Sequence, residues 1–335
     1  MGYAAEKKKV EKKIKRVKRN LLYIFLACLL VLMIFVIIIP PNTWAYRVKL
    51  PKTGKRADGE LRIHFIDVGQ GDATVIELPD DKIMLIDGGD GSDTANKSLL
   101  RYLNALKVER IDYLLLTHAD KAHCGGLEKV VEHFAVSRAF LPFVNPTVNG
   151  EFARFYQALK QKGCALEYSS RSISLSGVEY DLQFLYPYTS DVQASIERGE
   201  YAENVHEGSA VVWLEYQGVS ALFTGDAPQI VEETLVSDDK SGVLDGLGIE
   251  LTSTEILKVG HHGSAESTSA EFLEYLGVET AVISCGENNA YHYPSPTVRA
   301  LLSQKGVQTY RTDERGSIIA TVAKNGSYAM RTLGK

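Results

Sequence analysis

Thr117-His118-Ala119-Asp120-Lys121-Ala122-His123 is the stretch that decides the fold, because it places imidazole and carboxylate groups directly after an apolar run that predicts a β-strand. Phe223-Thr224-Gly225-Asp226 and Lys258-Val259-Gly260-His261-His262-Gly263-Ser264 follow the same plan later in the chain. The end of a strand fixes the direction of a side chain, so three such ends can aim their ligands at one point. Imidazole and carboxylate ligands suit Zn²⁺ or Mn²⁺. The sequence therefore predicts a metal site for one or two divalent ions.

The N-terminal part of this 335-residue chain has the composition of a membrane anchor. Leu21–Ile39 is a run of 19 uncharged, mostly apolar residues, close to the ~20 that cross a bilayer as a helix. Nine Lys or Arg precede it within residues 7–19, and the positive-inside tendency places such a segment in the cytoplasm. We therefore expect a basic cytoplasmic leader over residues 1–20, a single-pass transmembrane anchor over 21–40 and an extracytoplasmic remainder.

A cleaved signal peptide is the alternative interpretation of this segment. Its apolar region would be shorter, about 7–15 residues, and would end at a small-residue cleavage site. The run here continues to Pro40-Pro41-Asn42-Thr43-Trp44 instead, so an uncleaved anchor is favoured. Residues 41–60 include a polar stretch with Pro51, Gly54 and Gly59, and they predict a tether between the anchor and a domain over residues 61–335.

Charge is distributed unevenly between the two ends of the chain. Beyond residue 40 there are 28 Lys or Arg against 40 Asp or Glu, a formal charge of −12. Nonspecific nucleic-acid binding normally uses a basic surface, so this balance weakens, without excluding, a polynucleotide substrate. The basic leader is explained by its orientation in the membrane and by attraction to anionic lipids of the inner leaflet.

Apolar runs of strand length alternate with turns and helical stretches over residues 61–335. The first predicted strands are Arg62–Val68, Ala73–Leu78, Ile83–Ile86, Tyr113–Thr117 and Ala139–Pro142. The later ones are Glu179–Leu185, Ala210–Tyr216, Val219–Thr224, Ile256–Gly260, Thr280–Ser284 and Ser317–Val322. Helices are predicted over Ser92–Leu106, Gly126–Phe134, Ala270–Leu276 and Thr297–Lys305, and near Glu232. The pattern predicts an α/β fold in which two sheets are covered by helices.

Two further motifs, Phe65-Ile66-Asp67-Val68-Gly69-Gln70-Gly71-Asp72-Ala73 and Leu85-Ile86-Asp87-Gly88-Gly89, precede the three metal-type segments. In this order the five motifs closely resemble the metallo-β-lactamase-fold domain of the ComEC competence-protein branch, over about Leu61–Val322. The resemblance implies an αββα sandwich with a metal cluster at one edge of the paired sheets. It also implies a metal-dependent hydrolase, of a phosphodiesterase or nuclease type that acts on phosphoesters or nucleic acid.

The resemblance also implies a ligand set. The family pattern His-x-Asp-x-Asp-His falls on His118, Asp120, Ala122 and His123, so the second Asp is absent. By this resemblance His118 and Asp120 serve a first metal, and His123 serves a second. Asp226 bridges the two ions, since a shared carboxylate offsets the repulsion between neighbouring dications.

Three histidines leave alternatives open. His261 or His262 completes the second site. His206 either supplies the remaining ligand of the first site or is a loop histidine without a metal role. His292 stands one residue before Tyr293, the position at which the family usually has a His. It either protonates a leaving group or is turned away by the one-residue shift.

Supporting residues are expected in the two glycine-rich turns. Gln70 and Asp72 of the first turn are predicted to hydrogen-bond the ligands or to fix the backbone. Asp87 of the second turn is likewise predicted as support for the ligands. The carboxylates predicted to take part in catalysis itself are Asp120 and Asp226, together with the imidazole of His292.

Ala122 opposes a fully active two-metal enzyme, because a methyl group neither binds an ion nor orients a water. The second site should therefore bind its ion more weakly, although one-metal chemistry remains open. Two functions follow. The intact histidines and Asp226 favour a membrane-anchored, extracytoplasmic metal-dependent hydrolase, whereas Ala122 favours a catalytically silent binding or scaffolding module. The hydrolase is the preferred interpretation, and protein partners are not indicated by the sequence.

Overall fold

The computed structural model describes residues 2–38, 41–177, 179–201 and 205–335. The chain divides into two units, one that ends at Lys49 and one that spans Leu50–Lys335. The first unit contains a long helix, α1 (Gly2–Ile38), and a short 3₁₀ helix at Pro41–Tyr46. The second unit contains all the strands of the described residues and the candidate ligands.

Helix α1 is long and apolar enough to cross a membrane, by length and composition. The residues of its most apolar window are not buried within the protein, which leaves them free to contact lipid. The predicted basic leader and the predicted anchor therefore form one continuous helix over the described residues. Ile39 and Pro40, with which the predicted anchor ends, lie outside the described residues, as does Met1.

The strands of the second unit are short and form two sheets. In chain order they are β1 (Leu61–Phe65), β2 (Thr74–Glu77), β3 (Ile83–Ile86), β4 (Arg110–Leu115), β5 (Ala135–Leu141), β6 (Ala165–Tyr168), β7 (Tyr180–Tyr186), β8 (Val211–Tyr216), β9 (Val219–Phe223), β10 (Thr254–Lys258), β11 (Thr280–Ile283), β12 (Gln308–Arg311), β13 (Ile318–Val322) and β14 (Tyr328–Thr332). Within the described residues the first sheet has the order β14-β13-β1-β2-β3-β4-β5-β6, and the second has the order β12-β11-β10-β9-β8-β7.

Each sheet is mixed, with an antiparallel part and a parallel part. In the first sheet β1, β2 and β3 are antiparallel neighbours, whereas β3 to β6 are parallel. In the second sheet β7, β8 and β9 are antiparallel neighbours, whereas β9 to β12 are parallel. As a result, the segments that follow β1, β3 and β4 leave the first sheet at one common edge. The segments that follow β9 and β10 leave the second sheet at a common edge, where the segment before β8 enters.

The helices cover the outer faces of the sheets. They are α2 (Asp93–Ala105), α3 (Lys121–Cys124), α4 (Leu127–His133), α5 (Gly150–Lys162), α6 (Thr189–Arg198), α7 (Gln229–Lys240), α8 (Ala270–Leu276), α9 (Pro296–Gln304) and α10 (Thr312–Arg315). Further 3₁₀ turns lie at Asp245–Leu247, Leu251–Ser253 and Gly260–Gly263. Helices α7, α8 and α9 bury apolar side chains in one cluster with the outward-facing residues of the second sheet. Helix α4 contacts β5 of the first sheet.

The inner faces of the two sheets share one buried apolar cluster. Phe65 of β1 stacks on Phe223 of β9 with ring centroids 6.3 Å apart, and Phe140 of β5 meets Phe184 of β7 at 5.2 Å. Burial of each such side chain contributes roughly 1.5–3 kcal/mol relative to exposure. The predicted α/β architecture, an αββα sandwich, is therefore confirmed.

Several element bounds differ from the sequence prediction, for example those of β1, which ends at Phe65 and not at Val68, and two differences have a cause visible in the structure. Strand β4 ends at Leu115 rather than at Thr117, because the Thr117 backbone N–H donates to the Asp87 side chain at 2.8 Å instead of to a neighbouring strand. Residues 50–60, predicted as tether, belong to the compact second unit. The Arg62 guanidinium donates to the Thr53 carbonyl at 2.6 Å, and the Tyr216 hydroxyl donates to the Gly59 carbonyl at 2.5 Å.

Asn149 joins helix α5, which the sequence patterns did not predict, to the segment that carries the first ligands. Its Oδ1 caps the helix by accepting from the Phe152 N–H at 2.8 Å, and its Nδ2 donates to the Ala119 carbonyl at 2.5 Å. We expect Asn149→Ala to lower the free energy of unfolding by about 2 kcal/mol, since each bond contributes about 1 kcal/mol. Urea unfolding of the full chain in detergent micelles measures this.

Asn149→Ser is the matched control, because serine caps a helix but is too short to repeat the bond to Ala119. Its expected loss is about 1 kcal/mol. Equal losses for the two variants would contradict a separate contribution from the bond to Ala119.

Candidate metal centre

His118 and His123 lie in the segment after β4, and a capping carboxylate shapes that segment. Asp120 caps the N-terminus of the short helix α3, and its Oδ1 accepts a hydrogen bond from the Ala122 N–H at 2.8 Å. An aspartate at this position satisfies a backbone N–H that has no partner within the helix. The resulting turn brings His123 back beside His118, with ring centroids 4.1 Å apart. Both imidazoles are fully buried.

Asp87 orients His123 from the turn after β3. Its Oδ1 accepts from the Thr117 N–H, and its Oδ2 accepts from the Thr117 hydroxyl at 2.8 Å and lies 2.7 Å from Nδ1 of His123. Because the carboxylate acts as an acceptor, the hydrogen-bond network assigns the proton of His123 to Nδ1. Nε2 of His123 is then turned toward the interior of the cluster. Asp87 itself has a φ of 59°, an uncommon conformation for a residue with a side chain.

Glycines let the segment after His123 pack directly against the turn that carries Asp87. A Cβ on Gly126 would lie 2.2 Å from the Gly88 carbonyl oxygen, a distance that no side chain tolerates without movement of the backbone. The Gly88 N–H donates to the His123 carbonyl at 2.7 Å across the same contact. The Asp87-Gly88-Gly89 motif therefore holds both the backbone and the ring of His123.

Asp226, which follows β9, lies at the centre of the histidines. Its Oδ1 is 3.1 Å from Nε2 of His123. Its Oδ2 is 3.6 Å from Nε2 of His118, 3.6 Å from Nε2 of His261 and 3.9 Å from Nε2 of His262. One carboxylate therefore contacts imidazoles that come from both sheets.

Ser209 positions Asp226 and His206 together. The Asp226 backbone N–H donates to Oγ of Ser209 at 3.0 Å, and the Ser209 N–H donates to the His206 carbonyl at 3.0 Å. The ring of His206 lies with its centroid 5.1 Å from that of His118 in an edge-to-face arrangement. The loop before β8 therefore brings His206 to the same edge as the residues after β4 and β9.

His261 and His262 are adjacent, and both have left-handed backbone conformations, with φ of 47° and 53°. This backbone directs their side chains to different surroundings. Such conformations cost of order 1–3 kcal/mol each and concentrate at functional sites. Nδ1 of His262 donates to the Ser284 carbonyl at 3.0 Å, so its Nε2 faces Asp226. His261 is partly exposed and packs with its ring centroid 4.8 Å from that of His206. The strained turn therefore buries His262 and leaves His261 at the rim.

The ligand-type residues form two groups that share Asp226. We call the group of His118, His206 and Asp226 site A, and the group of Asp72, His123, Asp226 and His262 site B. In each group one ligand atom of every residue lies within 4.8 Å of those of the others. All of these residues are buried except His206, which is half-buried. Site A shares His118 with the first predicted metal site, and site B shares His123 with the second.

Five ligand-type atoms of these groups have no hydrogen-bond partner within the described residues. They are Nε2 of His118, His123 and His262 and Oδ1 of Asp72 and Asp226. A buried polar atom without a partner costs about 1–3 kcal/mol. Nε2 of His123 and Nε2 of His262 face carboxylate oxygens, an arrangement that a cation between them would stabilise once His123 has lost its Nε2 proton. The donor set therefore fits a divalent ion of the Zn²⁺ or Mn²⁺ type.

The charges of the clustered carboxylate and imidazole groups shift one another's pKa values. Burial raises the pKa of Asp226, but the charges of His123, His262 and His118 outweigh this and hold the pKa well below its usual value. Burial lowers the pKa of His123, but Asp226 and Asp87 outweigh this and raise it well above its usual value. Burial and the neighbouring His123 hold the pKa of His118 well below its usual value. Asp226 and His118 are thus in the ionisation states that bind metal, and an ion displaces the proton of His123.

Asp72 and Lys258 form a buried ion pair beside site B. Nζ of Lys258 lies 2.7 Å from Oδ2 of Asp72 and also donates to the Val259 carbonyl at 3.0 Å. Burial raises the pKa of Asp72, but the ammonium of Lys258 and the imidazole of His262 outweigh this and hold the pKa well below its usual range. Lys258 lies within the third metal-type motif, but the sequence does not reveal its role, since its partner lies in a distant segment.

The remaining predicted residues lie around the cluster. Asp120 is half-buried, and its Oδ1 accepts the hydrogen bond that caps helix α3. It lies outside both ligand groups, so its role as a metal ligand stays a prediction. Oε1 of Gln70 accepts from the Gly286 N–H at 3.0 Å, and its supporting role stays a prediction. His292 is exposed, whereas the ring of Tyr293 lies 5.6 Å from that of His261. The one-residue shift therefore turns Tyr293, and not His292, toward the histidines.

Asp87→Asn is expected to weaken metal binding by about 10–100-fold, because the amide is a poorer acceptor for Nδ1 of His123 and leaves that ring less firmly oriented. Titration of the metal-free full chain with Mn²⁺ measures the change. Asp90→Asn is the matched control, since Asp90 lies in the same turn and, within the described residues, its side chain accepts from the nearby Ser92 N–H and not from a ligand. Equal affinities for the two variants would contradict an orienting role for Asp87.

Comparison with known proteins identifies the family of this site. The model of the metallo-beta-lactamase superfamily matches residues 66–287. The chain belongs to this superfamily. Within it, ComE operon protein 3 of Bacillus subtilis (strain 168) is 30% identical over 276 residues, which are 77% of this chain and 33% of that protein. Competence protein ComA of Neisseria gonorrhoeae is 29% identical over 274 residues, or 82% and 34% of the two chains.

A third relative, Recombination protein 2 of Haemophilus influenzae, is 26% identical over 240 residues, which are 71% of this chain and 26% of that protein. The predicted resemblance to ComEC-like metallo-beta-lactamase-fold proteins is thus confirmed. The chain spans about a third of the length of the curated relatives it matches. Among solved structures, the diiron beta-hydroxylase CmlA of Streptomyces venezuelae is similar at a TM-score of 0.47 and 15% identity, over 77% of this chain and 53% of that chain.

Proposed function

We propose that this metallo-beta-lactamase-fold chain is a membrane-anchored, extracytoplasmic, metal-dependent phosphodiesterase or nuclease. The observation that carries the proposal is the set of five buried imidazole and carboxylate atoms that point at one another around Asp226 without hydrogen-bond partners in the described residues. A divalent ion held there polarises a phosphoryl oxygen and lowers the pKa of a water toward ~7. His118 and His206 would hold one ion, His123 and His262 would hold a second, and Asp226 would contribute to both sites.

The protein's own groups supply orientation and exclusion of water around this chemistry. Asp87 and Thr117 fix the ring of His123, and Ser284 fixes that of His262. His261 and Tyr293 lie at the partly exposed rim and are available to contact a substrate. Rigid orientation of this kind lets a site bind developing charge without rearrangement during the reaction.

A phosphodiester is the substrate class that the comparisons favour. Two of the matched relatives have names that refer to competence and to recombination, and recombination acts on nucleic acid. The formal charge of −12 beyond residue 40 opposes tight nonspecific binding of a polyanion. Together these observations support hydrolysis of a strand that is delivered to the site, rather than capture of nucleic acid by long-range attraction.

Membrane attachment rests on helix α1 and on its charge asymmetry. Nine Lys or Arg precede an apolar stretch long enough to span a bilayer, which supports an N-terminus in the cytoplasm and a catalytic unit outside. Protease treatment of right-side-out membrane vesicles tests this orientation. Digestion of the catalytic unit supports it, and complete protection contradicts it.

Hydrolysis is tested with the full chain in detergent micelles, stripped with a chelator and reloaded with Zn²⁺ or Mn²⁺. The substrates are bis(p-nitrophenyl) phosphate, single- and double-stranded DNA, RNA and, as a contrast, a chromogenic β-lactam. We expect metal-dependent cleavage of phosphodiesters and none of the lactam. Binding of metal without cleavage of any phosphodiester would contradict the proposed activity and would favour the silent binding module to which Ala122 points.

A further inference from the structure

One carboxylate oxygen of Asp72 has no hydrogen-bond partner within the described residues, unlike the oxygens of a residue that only supports the ligands. Building on the proposed metal-dependent function, we propose that Asp72 is a direct ligand of the ion in site B. It takes the place of the aspartate that the resembling family has where this chain has Ala122. The carboxylate that site B has in addition to Asp226 thus comes from the turn after β1 rather than from the segment after β4.

The backbone places residues 72 and 122 side by side. The Asp72 N–H donates to the Ala122 carbonyl at 3.1 Å. A Cβ on the preceding residue, Gly71, would lie only 2.5 Å from that same carbonyl oxygen, so the glycine permits this close approach. A carboxylate at position 72 therefore reaches the cluster from next to the position at which the family carries its own.

The two oxygens of Asp72 have different environments. Oδ2 receives Nζ of Lys258 at 2.7 Å, whereas Oδ1 has no hydrogen-bond partner within the described residues. Nδ1 of His262 lies 3.4 Å from Oδ1, but its proton is directed to the Ser284 carbonyl. The side chain is only 5% exposed, so bulk water does not satisfy Oδ1. The lone pairs of Oδ1 are therefore available to a cation among the ligands of site B.

Asp87 shows what a purely supporting carboxylate looks like in the same protein. Its two oxygens have partners in the Thr117 N–H, the Thr117 hydroxyl and Nδ1 of His123. Asp72 has a partner on Oδ2 alone, which orients the carboxylate and leaves its other oxygen to face the cluster. Lys258 thus holds Asp72 in the way that Asp87 holds His123, from the side remote from the ion.

Charge and ligand number agree with this assignment. Without Asp72, site B contains two neutral imidazoles and a share of Asp226, which is little anionic charge for a second dication near the first. With Asp72 it has four protein ligands, the number that is usual for a tetrahedral zinc ion. Ala122 therefore does not by itself abolish the second ion.

The test measures the number and the affinities of Mn²⁺ ions that the metal-free full chain binds in detergent micelles. Equilibrium dialysis and the electron paramagnetic resonance of the bound ion give both quantities. We expect two ions for the unaltered chain. We expect Asp72→Asn to retain the site A ion and to bind the site B ion at least about 100-fold more weakly, beyond the effect of losing an orienting neighbour. Asp67→Asn, the same change in the same turn but outside both sites, should match the unaltered chain.

The decisive variant is Ala122→Asp combined with Asp72→Asn, which should restore the second ion to within about tenfold of the original affinity. Two ions of unchanged affinity in Asp72→Asn, or no recovery in the combined variant, would overturn the assignment. If Asp72→Asn does not fold, Asp72→Asn with Lys258→Met removes both charges of the buried pair and tests the same loss. Because the readout is metal content, absence of phosphodiester cleavage would contradict the proposed function and leave the assignment of Asp72 standing.

Discussion

Asp226→Asn is expected to release both ions and to reduce phosphodiester hydrolysis by at least about 1,000-fold, or about 4 kcal/mol of barrier. Asp226 is the one residue common to site A and site B, and it contacts imidazoles from both sheets. Asparagine keeps the shape of the side chain but removes the negative charge that offsets repulsion between two dications. Metal analysis after dialysis and initial rates on bis(p-nitrophenyl) phosphate measure the two effects.

Asp181→Asn is the control for this variant, because Asp181 is an exposed residue of β7 within the same second unit. It should bind two ions and hydrolyse at the unaltered rate. Retention of both ions in Asp226→Asn, with a loss of rate below about tenfold, would contradict the shared role of Asp226. A loss of ions in both variants would point to a general effect on folding, which circular dichroism distinguishes.

His262→Ala is expected to cause a large loss of metal and of hydrolysis rate, whereas His261→Ala is not. The comparison shows which of the two adjacent histidines binds metal. His262 is buried, is oriented by the Ser284 carbonyl and belongs to site B. Its removal should cost the site B ion and at least about 100-fold in rate, since a bound ion contributes several kcal/mol of transition-state stabilisation.

His261→Ala should retain both ions and lose no more than about tenfold in rate. His261 lies 3.6 Å from Asp226 but outside both ligand groups of the described residues, and it is partly exposed beside Tyr293. Its expected loss falls on substrate affinity, seen as a raised KM. Loss of an ion in His261→Ala, with full retention in His262→Ala, would reverse this assignment.

Much of the fold was predictable because local patterns carry it. Ile83–Ile86 and Ala270–Leu276 have the bounds that apolar periodicity and flanking turns indicate. Helix α5 was not predicted, although its Asn149 cap and its C-terminal Gly163 are ordinary helix signals. Strand β4 ended two residues early because the Asp87 side chain, 30 residues away, takes the Thr117 N–H. Errors of this kind arise where a distant group replaces a local partner.

In the candidate site, too, features that depend on local motifs were predictable and features that depend on distant contacts were not. The ligand types at His118, His123 and Asp226 follow from the motifs, and so does the family. The role of Lys258 was not visible, because its partner Asp72 is 186 residues away in the chain. Tyr293 was assigned no role, although it stands at the position where the family usually has a His. Its ring packs beside His261, and a shift of one residue leaves His292 exposed.

The sequence by itself determined the membrane-type helix, the two-sheet α/β fold and the set of imidazoles and carboxylates after strands, because periodicity and short motifs are local properties. Only the tertiary structure decided which oxygen of Asp72 lacks a partner, which of His261 and His262 is buried, and how residue 72 comes to lie against Ala122. These facts depend on close approach between segments far apart in the chain and on two left-handed backbone residues. Metal binding is a property of that convergence, since an ion responds to the positions of donor atoms and not to their order in the sequence.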